Sequence, residues 1–588
     1  MNDVQVMYPK TLLEEINRGY EYIYEKEQEK TTNKILLEHA RLGNKKKIIQ
    51  LNETAFLLRG YGIANMVIIN TDEGLVLIDT LMSKELAEEA KADFIRVTGI
   101  DKNVRAVFYT HWHADHWGGV KGWISNEEAR SEKVDVIAQD LFENGLIAEN
   151  LITGVAMARR AQYMYAAVLK KDKLGQLETG LGSSRGMTGS VTLVLPTDTF
   201  DKQITKKYGG LTFTAFHTPG ETADQNSIYI KEYNLFITSD NFYDSFPNIY
   251  TIRGAKARDP RNWAASATWA IKFIKDKKID TLIRQHDEVI YGHNEIIEYL
   301  EDYHDALKYL HDQTVRLMNQ GLRADEIANT LNFPEKFHRH GIQEYYGTYY
   351  HSIRNVYNMY LGWYSGDPSE LGEVSRPERG RRLANLIGND NLIKAIEAAR
   401  KNDDLNWAAE LAAYLVSSDP ENQKYKHLKA DIFEALGRKT VNATWRNAYM
   451  TGAHELREGI PEDTMLAMSS DLLGSIRVGD FIDAMATKII PDKLMEEHFR
   501  INFSVGSENY TLIVRSGVLS RTDGLSKEAK VSLKFKDNTT MAMTLLGMMP
   551  QNEAISNGSL KIVGDASMLE KVLANIGKDN PNFAISTK

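Results

Sequence analysis

Residues 104–119 read VRAVFYTHWHADHWGG. The segment 104–110 is apolar and β-prone, the pattern of a buried strand. The chain then passes into His111, His113, Asp115 and His116, four nitrogen or oxygen ligands within six residues. Alternate residues of an extended segment point the same way, so His111 and His113 share a side. Asp115 and His116 fall on the following turn and can face a second position. Such an arrangement can hold two divalent cations a few ångströms apart, with a shared water polarised between them. Gly118 and Gly119 allow the loop to turn tightly into the next element.

Upstream of this stretch, residues 48–80 (IIQLNETAFLLRGYGIANMVIINTDEGLVLIDT) consist of short β-rich runs broken by Gly and Asn. TDEG at 71–74 joins MVIIN to LVLID as a hairpin. A helix follows over about 83–96, and strands and helices alternate to about 300, which predicts an α/β domain over 46–299. Residues 1–45 read as a polar helical extension, with Leu12, Leu13, Ile16, Tyr20 and Ile23 at helical spacing.

Downstream, the pattern is almost wholly helical, giving an all-α domain over 300–458. Within it, 406–437 reads as a single helical hairpin of tetratricopeptide-like character about Asp419-Pro420. The segment carries exposed-looking aromatics: Tyr345, Tyr346, Tyr349, Tyr350, Tyr357, Tyr360, Trp363 and Tyr364. Aromatic enrichment of this kind suits an interface between two copies, a homodimer, or else packing within one chain. A break at Gly459-Ile460-Pro461 opens a small α+β domain, 459–588. There INFSVG, NYTLIVRSGVLSRTD and AKVSLKFKD read as an antiparallel meander. Nine of the 19 methionines lie in it: Met465, Met468, Met485, Met495, Met541, Met543, Met548, Met549 and Met568. Methionine adapts to varied apolar ligands, so an alkyl-chain tunnel competes with plain core filling.

Composition narrows the class. The 588 residues are 43% hydrophobic and 26% charged, with a net charge of −9. These values exclude a disordered or fibrous chain and give no reason to expect a nucleic-acid partner. Clusters such as Lys45-Lys46-Lys47 read as solvated runs. There is no cysteine, so disulfides, thiolate metal sites and cysteine nucleophiles are excluded. No run approaches a membrane span. The first thirty residues lack the apolar core of a signal peptide. As it stands the sequence reads as cytoplasmic, or as periplasmic or secreted if a leader was removed.

The H-x-H-x-D-H run resembles that of the metallo-β-lactamase superfamily, which implies an αββα sandwich with metals at one sheet edge. Asp79, ending LVLID, resembles its early structural aspartate. HTPGE at 217–221 resembles H-T-P-G-H with Glu221 in the ligand position, a habit of the alkylsulfatases of this superfamily. NIYTIRGA at 248–255 with Arg258-Asp259 is similar to their H-N-x-Y-T-L-R-G-A-x-x-R-D segment. RGYGIANMVII, the Gly180-Leu181-Gly182 stretch, YLGWYSGDP at 360–368 and TGAHELREG at 451–459 extend the resemblance over the chain. It implies a helical dimerisation domain and a sterol-carrier-protein-like C-terminal domain.

The resemblance assigns His111, His113 and Glu221 to one metal and Asp115, His116 and His286 to the other, with Asp240 bridging. Asp115 and Asp240 are then the catalytic carboxylates. Such sulfur-free ligands suit two Zn²⁺ and admit Mn²⁺ or Fe. Arg253 and Asn248 would bind the sulfate of a small-molecule alkyl sulfate such as dodecyl sulfate, hydrolysed to alcohol and inorganic sulfate. Three positions depart from the family pattern: Asp240 for Glu, Pro247 for a substrate-side histidine, and Asp287-Glu288 for an aromatic- and proline-rich run. The alternatives are another hydrolase of the same fold, a lactonase or phosphodiesterase, and a lipid-binding protein with a vestigial metal site.

Overall fold

A computed structural model describes residues 8–131, 133–186, 189–338, 341–460, 474 and 476–587. Pro461, Met465 and Met468 lie outside the described residues. The first sheet has eight strands in chain order: β1 (Lys10–Ile16), β2 (Lys45–Gln50), β3 (Ala55–Arg59), β4 (Met66–Thr71), β5 (Gly74–Ile78), β6 (Val104–Phe108), β7 (Asp135–Gln139) and β8 (Asp198–Phe200). Pairing is antiparallel from β1 to β5 and parallel from β5 to β8. The expected hairpin joins β4 to β5, with Thr71 opposite Gly74.

The second sheet comprises β9 (Gln203–Tyr208), β10 (Leu211–His217), β11 (Asn226–Ile230), β12 (Leu235–Ile237), β13 (Thr281–Ile283) and β14 (Ile290–Tyr291), likewise neighbours in order. The two sheets close on each other over a dry layer: Leu57, Val67, Val76 and Phe108 meet Phe213, Ile228 and Ile237. Stacking of Phe108 on Phe213, centroids 5.8 Å apart, marks its centre. Helices Lys84–Thr98 and Pro260–Lys277 cover the outer faces, completing the αββα sandwich.

Two N-terminal readings are corrected. Residues 10–16 form an edge strand rather than part of a helix. Pairing with β2 sets Glu14 opposite Lys47 and Glu15 opposite Lys46, and opposite charges facing across strands favour this register. Lys45, Lys46 and Lys47 are accordingly paired rather than merely solvated, with nitrogen–oxygen distances of 3.0 Å to Glu14, 2.8 Å to Asp93 and 3.1 Å to Glu288. The helical part of the extension is confined to short turns and the helix Lys34–Gly43.

The expected boundary at 299/300 also falls inside one helix, His293–Met318. Its Ile296, Leu300, Tyr303 and Leu307 enter the same core as the sandwich's outer helices, because its apolar stripe continues across that point. Helices Arg376–Ile387, Asn389–Lys401, Leu405–Ser418, Gln423–Lys439 and Ala443–Glu458 follow, the third and fourth forming the expected hairpin. Tyr345, Tyr346, Tyr349 and Tyr357 are buried within the chain, whereas Tyr360 and Trp363 stay exposed.

The last sheet comprises β15 (His498–Val505), β16 (Glu508–Arg515), β17 (Val518–Asp523), β18 (Val531–Phe535) and β19 (Leu560–Gly564), in the order β17-β16-β15-β18-β19. β15 and β18 run parallel, so the expected antiparallel meander ends at β17. The chain crosses back because the fully buried alternate positions of β18, Val531, Leu533 and Phe535, fill the same core as Ile501 and Phe503.

Candidate metal centre

β6 delivers the histidine loop as its pattern dictates. The strand is buried to Phe108, Tyr109 bonds back to Ile137, and residues Ala114–Trp117 form one helical turn. Gly118 and Gly119 have ordinary negative φ, −62° and −90°. They serve close approach instead: a Cβ on either would stand 2.1 Å from the carbonyl of Met82 or Thr80. The loop is thereby pressed onto the turn after β5, with Thr80 N–H donating to His116 O at 2.7 Å and Gly119 N–H to Leu81 O at 2.8 Å.

Asp79 sits on that turn with φ of 60° and no solvent exposure. Its carboxylate accepts from Thr110 N and Oγ1, each at 2.9 Å, from His116 Nδ1 at 2.7 Å and from Gln285 Nε2 at 2.6 Å. The bond from His116 Nδ1 fixes the ring so that Nε2 is the atom aimed inward. His286 is set likewise, its Nδ1 2.8 Å from Ile63 O. His111 Nδ1 lies 3.1 Å from Thr110 Oγ1.

Inward-facing atoms converge in two groups whose ligand atoms lie within 4.8 Å of one another: His111, His113 and Asp240, and Asp115, His116 and His286. His111 Nε2 and His113 Nδ1 stand 2.9 Å apart. Asp240 Oδ2 lies 3.0 Å from His286 Nε2, 3.3 Å from His116 Nε2 and 3.5 Å from His111 Nε2, facing both groups. Burial, then the neighbouring histidines, push His111 and His113 well below the ordinary histidine range, leaving them neutral. Burial works against ionisation of Asp240, yet His116 and His286 hold its carboxyl well below the usual range. Burial opposes protonation of His116 and His286, but Asp240 and Asp115 push His116 well above the ordinary histidine range and His286 up to about 9. A divalent cation would displace the protons these two rings share with the carboxylates, since it requires neutral imidazoles and ionised carboxylates. His113 Nε2, His116 Nε2 and Asp240 Oδ1 are buried without a hydrogen-bond partner. Buried polar atoms left unpaired are costly, so the donor set fits a divalent cation.

The structure does not bring Glu221 into either group. Gly220, where a Cβ would stand 2.0 Å from Asn241 Oδ1, presses the loop after β10 against Asn241 and Trp263. Glu221 Oε1 then accepts from Arg258 Nη1 at 2.6 Å, while Oε2 is buried and unpartnered. Burial outweighs Arg258 and pushes Glu221 up to about 7. Arg258 also donates to Asn248 O at 2.7 Å. Asn248 acts here through its backbone, since its side chain does not line the cavity described below.

Beyond the two groups lies a cavity of about 270 Å³. His113, Asp115, Glu221, Asp240 and Arg253 form its polar end. Its apolar wall comes from Leu151, Val155, Ala158 and Ala161 on one side and Phe481, Ala484, Met485 and Leu546 of the C-terminal domain on the other. Arg477 Nε, bonded to Glu143 Oε2 at 2.6 Å, ties the two sides together. Of the C-terminal segment's described methionines, Met485 alone lines the cavity, while Met541 fills the domain's core.

The metallo-beta-lactamase superfamily model matches residues 59–286, that for alkyl sulfatase dimerisation 323–459 and that for the alkyl sulfatase C-terminal domain 466–588. A linear primary-alkylsulfatase of Pseudomonas sp is 32% identical over 94% of this chain and 82% of that protein. An (R)-specific secondary-alkylsulfatase of Pseudomonas sp is 32% identical over 96% of this chain and 86% of that one. This chain belongs to the alkylsulfatase family. The solved stereoselective inverting sec-alkylsulfatase Pisa1 from Pseudomonas sp. superposes with a TM-score of 0.92 at 31% identity, covering 97% of this chain and 90% of that one. As an alkylsulfatase the chain is a sulfuric ester hydrolase with the three-part architecture that the sequence implies.

Two features of this alkylsulfatase site escape sequence reading. Arg258 was visible only as a match to a motif, and its grip on Glu221 joins residues 37 apart. Glu149 carried no motif signal at all; it enters the cavity and stands 3.2 Å from Arg253 Nη1. Of the three departures, Asp240, Pro247 and Asp287 are buried, whereas Glu288 is part-exposed and pairs with Lys47 and Arg59. Asp240 is the shared carboxylate, and Pro247 packs over Gly347 off the cavity lining. Asp287 accepts from Asp244 N–H at 2.8 Å beside His39. Among the described residues no helix is long and apolar enough to cross a membrane.

Proposed function

We propose that this alkylsulfatase hydrolyses alkyl sulfate esters, linear or secondary, to an alcohol and inorganic sulfate, using two divalent cations of which Zn²⁺ is the first candidate. The observation that carries this reading is one cavity whose polar end meets both ligand triads through His113, Asp115 and Asp240 and holds a guanidinium, and whose other walls are mostly apolar, with Gln162 and the Lys488–Asp579 ion pair among them. That is the shape and polarity of an amphiphilic monoanion.

His111 and His113 would hold one cation and Asp115, His116 and His286 the other, with Asp240 between; Glu221, held by Arg258, would join the first site only if that ion pair opened. Bound cations would polarise water and lower its proton affinity. Arg253 would grip the sulfate oxygens in a planar fork. Asp115, the member of the second triad that lines the cavity, would take the proton that water loses. Pisa1 is described as inverting. Carried to this chain, that means water attacks the carbon from the face opposite the sulfate, the C–O bond breaks, and sulfate leaves with the bonding pair. The alkyl tail would lie between 151–161 and the helix Val478–Ala486. A homodimer built through the helical segment, with exposed Trp363 and Tyr360 at its interface, completes the reading.

The test is metal analysis of the purified protein combined with sulfate release from dodecyl sulfate. About two divalent ions per chain and chelator-sensitive release are expected. Full activity in exhaustively chelated, metal-free protein would sink the assignment.

A further inference from the structure

Glu149 occupies an unusual place. Between the helices Phe142–Ile147 and Gly154–Tyr165, residues Ala148–Ile152 form one wide π turn. Such turns interrupt the regular hydrogen-bond ladder and recur at functional sites. This one directs Glu149, Asn150 and Leu151 to the cavity. The Glu149 carboxylate, 7% exposed, lies 3.2 Å from Arg253 Nη1 and 3.9 Å from His113 Nε2. Arg253 Nη1 also donates to Gly254 O at 3.0 Å. Other charged groups at this end are Asp115, Asp240 and the Glu221–Arg258 pair.

A carboxylate set against the guanidinium that receives the substrate's anion weakens that anion's binding. As a mere packing device the pair would belong in the core, not on a cavity wall. Its use is discrimination. A sulfate monoester and a phosphate monoester are both tetrahedral and offer oxygens at similar positions, so contact geometry alone separates them poorly. Charge separates them well: near neutrality the phosphate carries almost two negative charges, the sulfate one. With Glu149 in place, the Arg253 position tolerates one added charge and disfavours the second, because like charges a few ångströms apart in a partly desolvated pocket repel strongly. Specificity commonly rests on such a repulsive element as well as on attraction.

Building on the reading of Arg253 as the sulfate-binding residue, we propose that Glu149 is a specificity-determining residue that admits monoanionic sulfate esters and rejects dianionic phosphate esters. The test uses two non-hydrolysable probes, decyl sulfonate (a monoanion) and decyl phosphonate at mildly alkaline pH (a dianion). Dissociation constants are measured by calorimetry on protein of verified metal content. The wild type should prefer sulfonate. Glu149→Gln should bind phosphonate better and lower the phosphonate-to-sulfonate ratio of dissociation constants by about tenfold or more. Glu149→Asp should retain most of the preference, and Arg253→Ala should weaken both probes.

An unchanged ratio in Glu149→Gln, with both probes bound and metal content intact, would overturn the proposal. So would equal affinity of the wild type for the two probes. Loss of metal in Glu149→Gln would also refute it, marking Glu149 as a ligand of His113's cation instead. If the wild type binds neither probe, or Arg253→Ala binds both normally, the anion-site reading itself fails and the inference falls with it.

Discussion

Asp79→Asn tests whether the metal centre depends on orientation from behind its ligands. The backbone at 79 is left-handed, φ 60°, which Asn tolerates, so the change leaves local conformation unstrained. What it alters is the acceptor count. Asp79 offers two oxygens to four donors: Thr110 N, Thr110 Oγ1, His116 Nδ1 and Gln285 Nε2. Asn keeps one oxygen. If that oxygen remains with His116, the new NH₂ faces the buried Thr110 N–H at about the 2.9 Å now spanned by a hydrogen bond. If the amide flips, the NH₂ confronts His116 Nδ1–H, and the ring must change tautomer and turn its proton towards Asp115 and Asp240. The first outcome costs about 1–3 kcal/mol of folding stability, the penalty for a buried unpaired donor. The second also costs metal affinity, and loss of such an orienting partner typically weakens binding about 10–100-fold. Urea unfolding of the metal-free protein isolates the stability loss, and competition with a fluorescent chelator reads metal affinity. Weaker metal binding would mark the flipped amide, and a stability loss alone the unflipped one in which His116 stays oriented; a variant that loses neither stability nor metal affinity would refute the reasoning.

Arg253→Ala should lower kcat/KM for dodecyl sulfate by roughly 10- to 100-fold, the range for hydrogen bonds to charged groups. Arg253→Lys should recover only part, since an ammonium cannot make the planar fork; unaltered kinetics in both variants would mark Arg253 as structural. For the wild type, kcat/KM should rise up to about fourfold per methylene of the alkyl chain, the value of about 0.8 kcal/mol for burying each. Phe481→Ala, which removes a ring from the cavity wall, should flatten that rise, and an identical slope would show that the tail lies elsewhere. Glu455→Ala should destabilise the protein by about 3–5 kcal/mol, because it leaves the guanidinium of buried Arg159 without its counter-charge. A shift under about 1 kcal/mol in a urea titration would contradict that account.

The legible parts of this molecule are those where one short segment carries several constraints. In 104–119 strand, ligands and close-packing glycines follow one another, so fold and chemistry are read together. Pro219-Gly220-Glu221 and NIYTIRGA were legible as motifs but not as geometry. The sequence cannot say that Glu221 turns to Arg258, because ion pairing across 37 residues depends on how β10 and the helix Pro260–Lys277 are set. β1 is hard to read for a related reason. In KTLLEEI only Leu13 is buried, so neither a twofold nor a helical period is decisive. The deciding signal was the complementarity of Glu14-Glu15 with Lys45-Lys46-Lys47, which lies between segments. Glu149 was invisible because a π turn leaves no periodic mark.

The same non-local logic joins the C-terminal domain to catalysis. Helix Gly154–Tyr165 supplies Val155, Ala158 and Ala161 to the cavity wall and Arg159 and Tyr163 to its far side. There Glu455 accepts from Tyr163 OH at 2.6 Å and from the N–H groups of Ile585 and Ser586 at 2.9 Å each, and pairs with Arg159. Arg159 Nε donates to Phe583 O at 3.0 Å, and Lys429 Nζ to Ser586 O at 2.7 Å. The segment 583–586 is thus clamped between that helix and the helices Gln423–Lys439 and Ala443–Glu458, while Asp579, a few residues earlier, lines the cavity. One helix therefore feels the apolar cavity on one face and a buried, fully engaged carboxylate on the other. Such a network is stiff, because each member lost leaves another unpaired. An amphiphile with a floppy tail needs a wall of that kind: burying methylenes yields affinity only where the wall is already ordered and loses no further entropy on binding. On the proposed reading, the clamp on 583–586 would help to hold the C-terminal domain, and with it Phe481 and Met485, against the cavity formed with 151–161.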